Sequence, residues 1–163
     1  MVALTSAAQA ALVSLGDGTV KDTNTNLIWL EDWTVNGFAD WNTQKNWAET
    51  GLDGFAGSND WRLPEISEYA ALFGAYGALN AVAEFTNVQS NVYWSGTEFI
   101  AGRLSWGFNP DGGSQTAGSQ GVGLYAVAVR PGDVTASVPE PQTLALALLA
   151  LGATVLARRR RSR

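Results

Sequence analysis

The last 26 residues constrain the fold most, because they contain a segment that a water-soluble core cannot accommodate. The rigid tetrapeptide Val138-Pro139-Glu140-Pro141 precedes an apolar run, residues 144–157, in which Thr154 is the only polar side chain. Five arginines follow within residues 158–163. As a helix the run would span roughly 21 Å, which is less than the apolar core of a bilayer, about 30 Å. Because clustered arginine marks the cytoplasmic end of a membrane segment, we expect a short transmembrane helix outside the folded domain.

The order of these parts resembles the PEP-CTERM sorting signal of bacteria that make exopolysaccharide. In that family Pro-Glu-Pro is followed by a short transmembrane helix and an arginine-rich end, as it is here. The resemblance implies export, transient retention in the inner membrane, and cleavage near Pro139-Glu140-Pro141 by a membrane protease of the exosortase type. A single-pass anchor that is never cut is the alternative. The expected cytoplasmic stop consists of Arg158, Arg159, Arg160 and Arg161.

The first ten residues are small and apolar, and Ala8 and Ala10 form the small-x-small pattern of a signal peptidase site. They lack the basic start and the full apolar core of a secretory signal. Because a tail of this kind requires export, we interpret residues 1–10 as a truncated signal peptide. An ordinary flexible N-terminus is the alternative. The folded domain is then expected at 11–131, with a linker of small residues at 132–137.

The composition excludes several kinds of chemistry. The chain has no cysteine and no histidine, which excludes thiol nucleophiles, disulfides, histidine bases and zinc sites of the usual kinds. Residues 11–138 contain five basic and fourteen acidic residues, a net charge of −9. A domain this acidic should repel nucleic acid and anionic membranes. We therefore expect uncharged sugars, cations or basic surfaces as partners, and no cofactor or metal site.

The pattern between the two ends predicts an α+β fold. Two apolar runs flank a polar turn and predict a hairpin. Asn42 can cap a short helix at 43–50, and Pro64 suits the first turn of a second helix that Gly74 and Gly77 are expected to end. A hairpin, two helices and then antiparallel strands are typical of the α+β class. The predicted strands are Thr19–Asp22, Leu27–Leu30, 91–95, 103–108 and 124–130.

Five motifs follow one another in this segment: residues 17–22 with Leu27-Ile28-Trp29, Trp47-Ala48, Asp60-Trp61-Arg62-Leu63-Pro64, Tyr93-Trp94-Ser95 and Val129-Arg130-Pro131. In this order they resemble the bacterial Lcl C-terminal domain family, which is similar in fold to C-type lectins and to the formylglycine-generating enzyme. The resemblance implies a C-type lectin-like fold over residues 16–131. It implies no catalysis, because the enzymes of this fold depend on cysteine, and no calcium-dependent sugar binding, because the lectin motif is missing.

The charged residues of this segment favour structural roles over catalytic ones. Asp60 and Arg62 lie two residues apart in an extended segment, which places both side chains on one side. We interpret them as a structural ion pair before the second helix. The alternative is a catalytic acid with its electrostatic partner. Glu31, Asp32 and Asp40 form an acidic cluster that we expect to be solvated, with weak cation binding as the alternative.

The seven tryptophans divide into two groups. Those within the fold motifs are expected in the core: Trp29, Trp47, Trp61 and Trp94. The others, Trp33, Trp41 and Trp106, lie in or beside loops and strand edges. An exposed tryptophan can stack on the apolar face of a sugar ring. These three are therefore candidate ligand-binding residues, and Trp106 is the preferred one.

The sequence therefore favours an exported, non-catalytic protein of the cell surface or exopolysaccharide matrix that binds glycan. One alternative is an enzyme that acts on extracellular polysaccharide with carboxylates alone, and another is a purely structural matrix component. Two carboxylates about 5–10 Å apart in a cleft would favour the enzyme. An exposed tryptophan on a shallow face would favour binding.

Overall fold

The computed structural model describes residues 11–132, which adopt the predicted α+β fold. The helices are α1 (Trp41–Asn46) and α2 (Ile66–Tyr76), with a π-helical turn at Trp47–Gly51 and 3-10 turns at Phe55–Gly57 and Leu79–Ala81. The strands are β1 (Leu12–Ser14), β2 (Thr19–Asp22), β3 (Leu27–Leu30), β4 (Tyr93–Ile100), β5 (Leu104–Phe108), β6 (Gln115–Ser119) and β7 (Val129–Pro131). They form two antiparallel sheets, of order β1-β2-β3-β7 and β4-β5-β6.

Both predicted targeting segments lie outside the described residues. These are the signal-peptide remnant with Ala8 and Ala10 and the tail with its sorting motif, membrane helix and arginines. Among residues 11–132, no helix is long and apolar enough to cross a membrane. The finer expectation of a C-type lectin-like topology stays a prediction.

The opening hairpin has the predicted bounds. β2 pairs with β3 in a register that places Thr19 opposite Leu30. The Asp22 carboxylate closes the turn, since Oδ1 accepts a hydrogen bond from the Asn24 amide at 2.9 Å and Oδ2 accepts one from Thr25 Oγ1 at 2.6 Å. Side chains of this kind form turns with their own backbone, and Tyr76 of α2 also donates a hydrogen bond to Asp22 Oδ1 at 2.7 Å.

The first helix begins earlier than predicted. Its N-cap is Asp40 rather than Asn42, because the Asp40 carboxylate accepts hydrogen bonds from the Thr43 amide at 3.0 Å and from Thr43 Oγ1 at 2.8 Å. The same hydrogen bonds lower the pKa of Asp40. The helix passes directly into the π-helical turn, which ends at Gly51. The second helix ends before Gly77, as predicted, but Gly74 lies inside it and does not end it, and Pro64 precedes the N-cap Glu65 rather than standing in the first turn.

The predicted strand at 124–130 is wrong for most of its length. Trp94 of β4 donates its backbone N–H to the Tyr125 carbonyl at 2.8 Å, and Leu30 of β3 donates to the Ala128 carbonyl at 3.0 Å. This segment therefore passes from one sheet to the other, and only its end pairs as β7. The two short strands β1 and β6 have no counterpart in the prediction.

The core is built from aromatic rings of both sheets and of α2. Trp29 of β3 stacks on Trp33 with ring centroids 6.1 Å apart, and Tyr69 of α2 stacks on Phe108 of β5 at 5.1 Å. The tryptophans assigned to the core are confirmed there: Trp29, Trp61 and Trp94 are buried, and Trp47 packs partly buried against the same cluster.

We expect two buried tyrosines, Tyr69 and Tyr93, and the partly buried Tyr76 to make the stability of this domain sensitive to alkaline pH. Burial raises the pKa of Tyr93 to about 12 and also raises the pKa of Tyr69 and Tyr76. A raised folded-state pKa contributes stability that is complete below the unfolded-state value, about 10, and is lost as the pH rises from there towards 12. No histidine or cysteine titrates in the neutral range.

We expect the melting temperature to be nearly constant from about pH 6 to 9 and to fall above about pH 10. Tyr93 alone should cost about 1.4 kcal/mol at pH 11. Circular dichroism melts across this range would measure the fall, and Tyr93→Phe should reduce it. A steep change in melting temperature between pH 6 and 9 would contradict this expectation.

Candidate functional site

Trp33 is not a ligand-binding residue, which corrects the prediction. Its side chain is 0% exposed and packs in the aromatic core. The chain turns after β3, where the Asp32 carboxylate accepts hydrogen bonds from the Thr34 amide and hydroxyl at 2.8 and 2.9 Å. The Trp33 amide then donates to the Thr86 carbonyl at 3.1 Å. This pairing lies in a loop, yet it fixes the indole inside the domain.

Trp41 is also buried, with 4% of its surface exposed, so this second candidate is wrong as well. Its indole Nε1 donates a hydrogen bond to the carbonyl of Ser95 in β4 at 2.8 Å. Lys45 Nζ lies 5.1 Å from the centre of the same ring. The tryptophan that starts α1 therefore anchors the helix to the second sheet and does not face a ligand.

Trp106 is the one candidate tryptophan that reaches the surface. It is partly buried on β5, and its ring meets the Phe99 ring of β4 edge to face, with centroids 5.1 Å apart and an interplanar angle of 72°. Phe99 is 52% exposed. We call these two residues the aromatic pair.

The aromatic pair continues a row of side chains that begins in the core. Trp106 and Phe108 share one face of β5, and Phe108 is buried against α2. Across the ladder, Trp106 lies opposite Ala117 of the edge strand β6, while Ser119 and Gln115 lie opposite Leu104 and Phe108. The β6 residues beside Trp106 are small or polar and are exposed. The result is a shallow apolar surface with a polar rim.

Side-chain hydrogen bonds hold the end of β4 that carries Phe99. Gln120 is buried and donates hydrogen bonds from Nε2 to Ser105 Oγ at 2.9 Å and to Glu98 Oε2 at 3.1 Å. The Glu98 carboxylate also accepts a hydrogen bond from the Gly102 amide. These bonds tie the β4–β5 turn to both strands, so the aromatic pair has a rigid support.

Arg62 pairs with Glu68 and not with Asp60, which corrects the predicted ion pair. Its Nη2 and Nη1 lie 2.6 and 2.8 Å from the two Glu68 oxygens, and this interaction raises the pKa of Arg62. The Arg62 backbone pairs with Val129, which places the side chain at the start of α2. Asp60 is exposed. Glu68 stands three residues after the N-cap Glu65, a spacing typical of a capping box, and this signal could have identified the true partner.

The predicted acidic cluster is divided. Asp40 caps α1, whereas Glu31 and Asp32 line a cavity of about 390 Å³. Burial raises the pKa of Asp32, but hydrogen bonds from Thr34 and Asn87 together lower it by more. The pKa of Asp32 is therefore below its usual value. Asp32 therefore stays ionised at neutral pH.

Comparison with known families decides the classification. Residues 18–130 match the family model of the Lcl C-terminal domain. The chain belongs to the Lcl C-terminal domain family. Residues 137–161 match the PEP-CTERM protein-sorting motif, which indicates an exported protein with a transient membrane passage that is processed by an exosortase, a membrane protease. No curated protein matches this chain.

In this Lcl C-terminal domain, the motif Asp60-Trp61-Arg62-Leu63-Pro64 has a structural role. Trp61 and Leu63 are buried, and Trp61 Nε1 donates a hydrogen bond to the Phe55 carbonyl at 3.0 Å. Arg62 is engaged with α2, as described above. The aromatic pair lies outside this motif, so the exposed aromatic surface is separate from the residues of the motif.

Proposed function

We propose that this exported domain is a non-catalytic binding module of the cell surface or exopolysaccharide matrix, and that it binds uncharged glycan through the aromatic pair. The single observation that supports the proposal best is the position of Trp106. It is the candidate tryptophan that lies at the surface, and the exposed ring of Phe99 extends its apolar area.

The geometry suits a sugar ring. An aromatic ring that is half-buried on a strand offers a large apolar area and loses little conformational freedom on binding. The neighbouring Ser119 and Gln115 on β6 provide a hydroxyl and an amide on the same face of the sheet. Such groups can bond to sugar hydroxyls at the rim of the contact.

The charge of the domain favours neutral glycan. Residues 11–132 carry thirteen acidic and five basic side chains. Sulfated or uronic polysaccharides would meet a repulsive field. Binding should therefore depend little on salt concentration.

A carboxylate-dependent enzyme is the second candidate, because Glu31 and Asp32 share one cavity. A glycosidase of this kind needs one carboxyl whose pKa is raised, so that it carries a proton at neutral pH. The lowered pKa of Asp32 opposes that role. Release of reducing sugar from neutral exopolysaccharide, with loss of activity in Glu31→Gln, would favour the enzyme over the binding module.

Trp106→Ala should weaken retention on immobilised neutral polysaccharide by about tenfold, which is about 1.4 kcal/mol. Phe99→Ala should weaken it about threefold, because Phe99 adds area at the edge of the contact. Retention on a panel of neutral glucans and mannans, with heparin as a sulfated comparison, would measure both effects.

The chain offers a matched control. Phe38 is 58% exposed and meets Tyr125 edge to face at 5.4 Å and 76°, a pair with almost the same geometry on other elements. Phe38→Ala should leave retention unchanged. If Phe38→Ala and Trp106→Ala weaken binding equally, or if neither does, the aromatic pair is not the binding surface.

A further inference from the structure

The cavity beside the end of β3 has the size and lining of a small-molecule site. Its volume is about 390 Å³, within the range of about 300–1,000 Å³ that ligand pockets occupy. Leu30 and Leu52 are buried at its base, whereas Val35 and Phe55 are 56% and 37% exposed at its rim. The cavity can therefore enclose an apolar group of about the size of a benzene ring.

Its apolar wall is already formed. Gly18 has φ of +83°, and a Cβ atom at this position would lie 3.3 Å from Phe55 Cζ. Glycine therefore lets the Phe55 ring approach the hairpin. The Phe55 ring packs on Trp61 with centroids 5.8 Å apart. A wall held in this way needs little reordering when a ligand binds.

The polar edge is fixed by the backbone. The Glu31 amide donates to the Gly18 carbonyl at 2.9 Å, and the Thr86 amide donates to the Glu31 carbonyl at 2.8 Å. Asp32 forms a β-bridge with Thr86. Both acidic residues therefore lie on a rigid segment beside the apolar wall.

The two carboxylates lack a cationic partner within residues 11–132. The Asp32 oxygens accept hydrogen bonds only from neutral donors, namely the Thr34 amide and hydroxyl and Asn87 Nδ2 at 2.9 Å. The Glu31 carboxylate makes no ion pair or hydrogen bond in the described part of the chain. Two negative charges next to an apolar cavity are complementary to an apolar ligand that carries a positive charge.

We propose that this cavity binds a small apolar primary amine, with the hydrocarbon part against Phe55 and Leu30 and the ammonium group at Glu31 and Asp32. The site is independent of the aromatic pair. An ammonium group donates three charge-assisted hydrogen bonds, and its charge is opposite to that of both carboxylates. A neutral ligand of the same shape would gain only the apolar contact.

Three probes of similar shape test the proposal: 2-phenylethylamine, 2-phenylethanol and 3-phenylpropanoate. Their dissociation constants would be measured by saturation-transfer NMR on the full chain in zwitterionic nanodiscs, with empty nanodiscs subtracted. The amine should bind about tenfold more tightly than the alcohol, and the anion more weakly than either. Glu31→Gln should weaken amine binding about fivefold and leave alcohol binding unchanged.

Two further variants make the result decisive. Val35→Lys places a cation at the exposed rim of the cavity and should abolish the preference for the amine over the alcohol. This variant tests the proposal independently if Glu31→Gln does not fold. Asp111→Asn removes one negative charge away from the cavity and keeps an acceptor for Asn80, so it should change nothing. Equal affinity for amine and alcohol, no detectable binding of any probe, or an equal effect of Asp111→Asn and Glu31→Gln would overturn the proposal.

Discussion

Replacing Trp33 with alanine should lower the free energy of unfolding by about 5 kcal/mol, at the upper end for a large core residue. The indole lies within 6.1 Å, centroid to centroid, of Trp29, Tyr69, Phe85 and Tyr93. Its removal leaves a cavity among rings that are themselves fixed by β3, α2 and β4. Each contact between two aromatic rings adds about 0.5–1.5 kcal/mol beyond the effect of the buried area. The loss of Trp33 therefore costs more than the loss of an isolated core side chain.

Urea denaturation followed by far-UV circular dichroism would measure this effect. Because domains are stable by about 5–15 kcal/mol, the alanine variant can fail to fold. Trp33→Phe keeps a ring and should cost about 2 kcal/mol, which keeps the prediction measurable. Phe99→Ala is the surface control and should cost less than about 1 kcal/mol. A Trp33→Ala variant as stable as the Phe99→Ala variant would contradict the assignment of Trp33 to the core.

The sequence predicts the elements whose interactions join residues close together in the chain. The opening hairpin was predicted with its bounds because the Asp22 turn and the two apolar runs are adjacent in the chain. The second helix was predicted because an apolar face lies between Pro64 and Gly77, although Gly74, which was also expected to end the helix, lies inside it. In both cases the decisive interactions join residues that are few positions apart.

Two of the failures share a physical origin, which is pairing between distant residues. Trp33 lies in a loop, but its backbone is fixed by Thr86, and no local pattern distinguishes this from an exposed loop tryptophan. The strand β6 reads Gln-Thr-Ala-Gly-Ser and has no apolar alternation. It is extended because it pairs with β5, and tertiary pairing of this kind overrides weak strand propensity.

The candidate site was predicted only in part. Of three tryptophans proposed for binding, Trp106 alone reaches the surface, and its partner Phe99 was not identified. The β4 strand runs to Ile100, several residues beyond the predicted end, which is why the contribution of Phe99 was missed. The acidic cavity could not be predicted either, because its walls come from four separate stretches of the chain.

Replacing Glu68 with alanine should lower the free energy of unfolding by about 2–3 kcal/mol. The side chains of Arg62 and Glu68 are 34% and 19% exposed, so their pair is partly shielded from water. Removal of one member of a fully buried pair costs about 3–5 kcal/mol, and solvent screening reduces this to about 2 kcal/mol here. Glu68 Oε2 also accepts a hydrogen bond from the Glu65 amide at 2.7 Å, and loss of that cap adds up to about 1 kcal/mol.

The corrected pairing can be tested against the sequence-based one by matched variants. Asp60→Ala should change the free energy of unfolding by less than about 0.5 kcal/mol, since Asp60 is exposed and Glu68 neutralises Arg62. Glu49→Ala breaks an exposed ion pair in which Lys45 Nζ and Glu49 Oε1 lie 3.8 Å apart. It should also lower the free energy of unfolding by less than about 0.5 kcal/mol. Arg62→Lys should cost about 1 kcal/mol, because an ammonium group cannot bond both oxygens of Glu68 as the guanidinium fork does. If Asp60→Ala destabilises the domain as much as Glu68→Ala, Arg62 is held by Asp60 after all, and the start of α2 depends on the loop before it rather than on its own first turn.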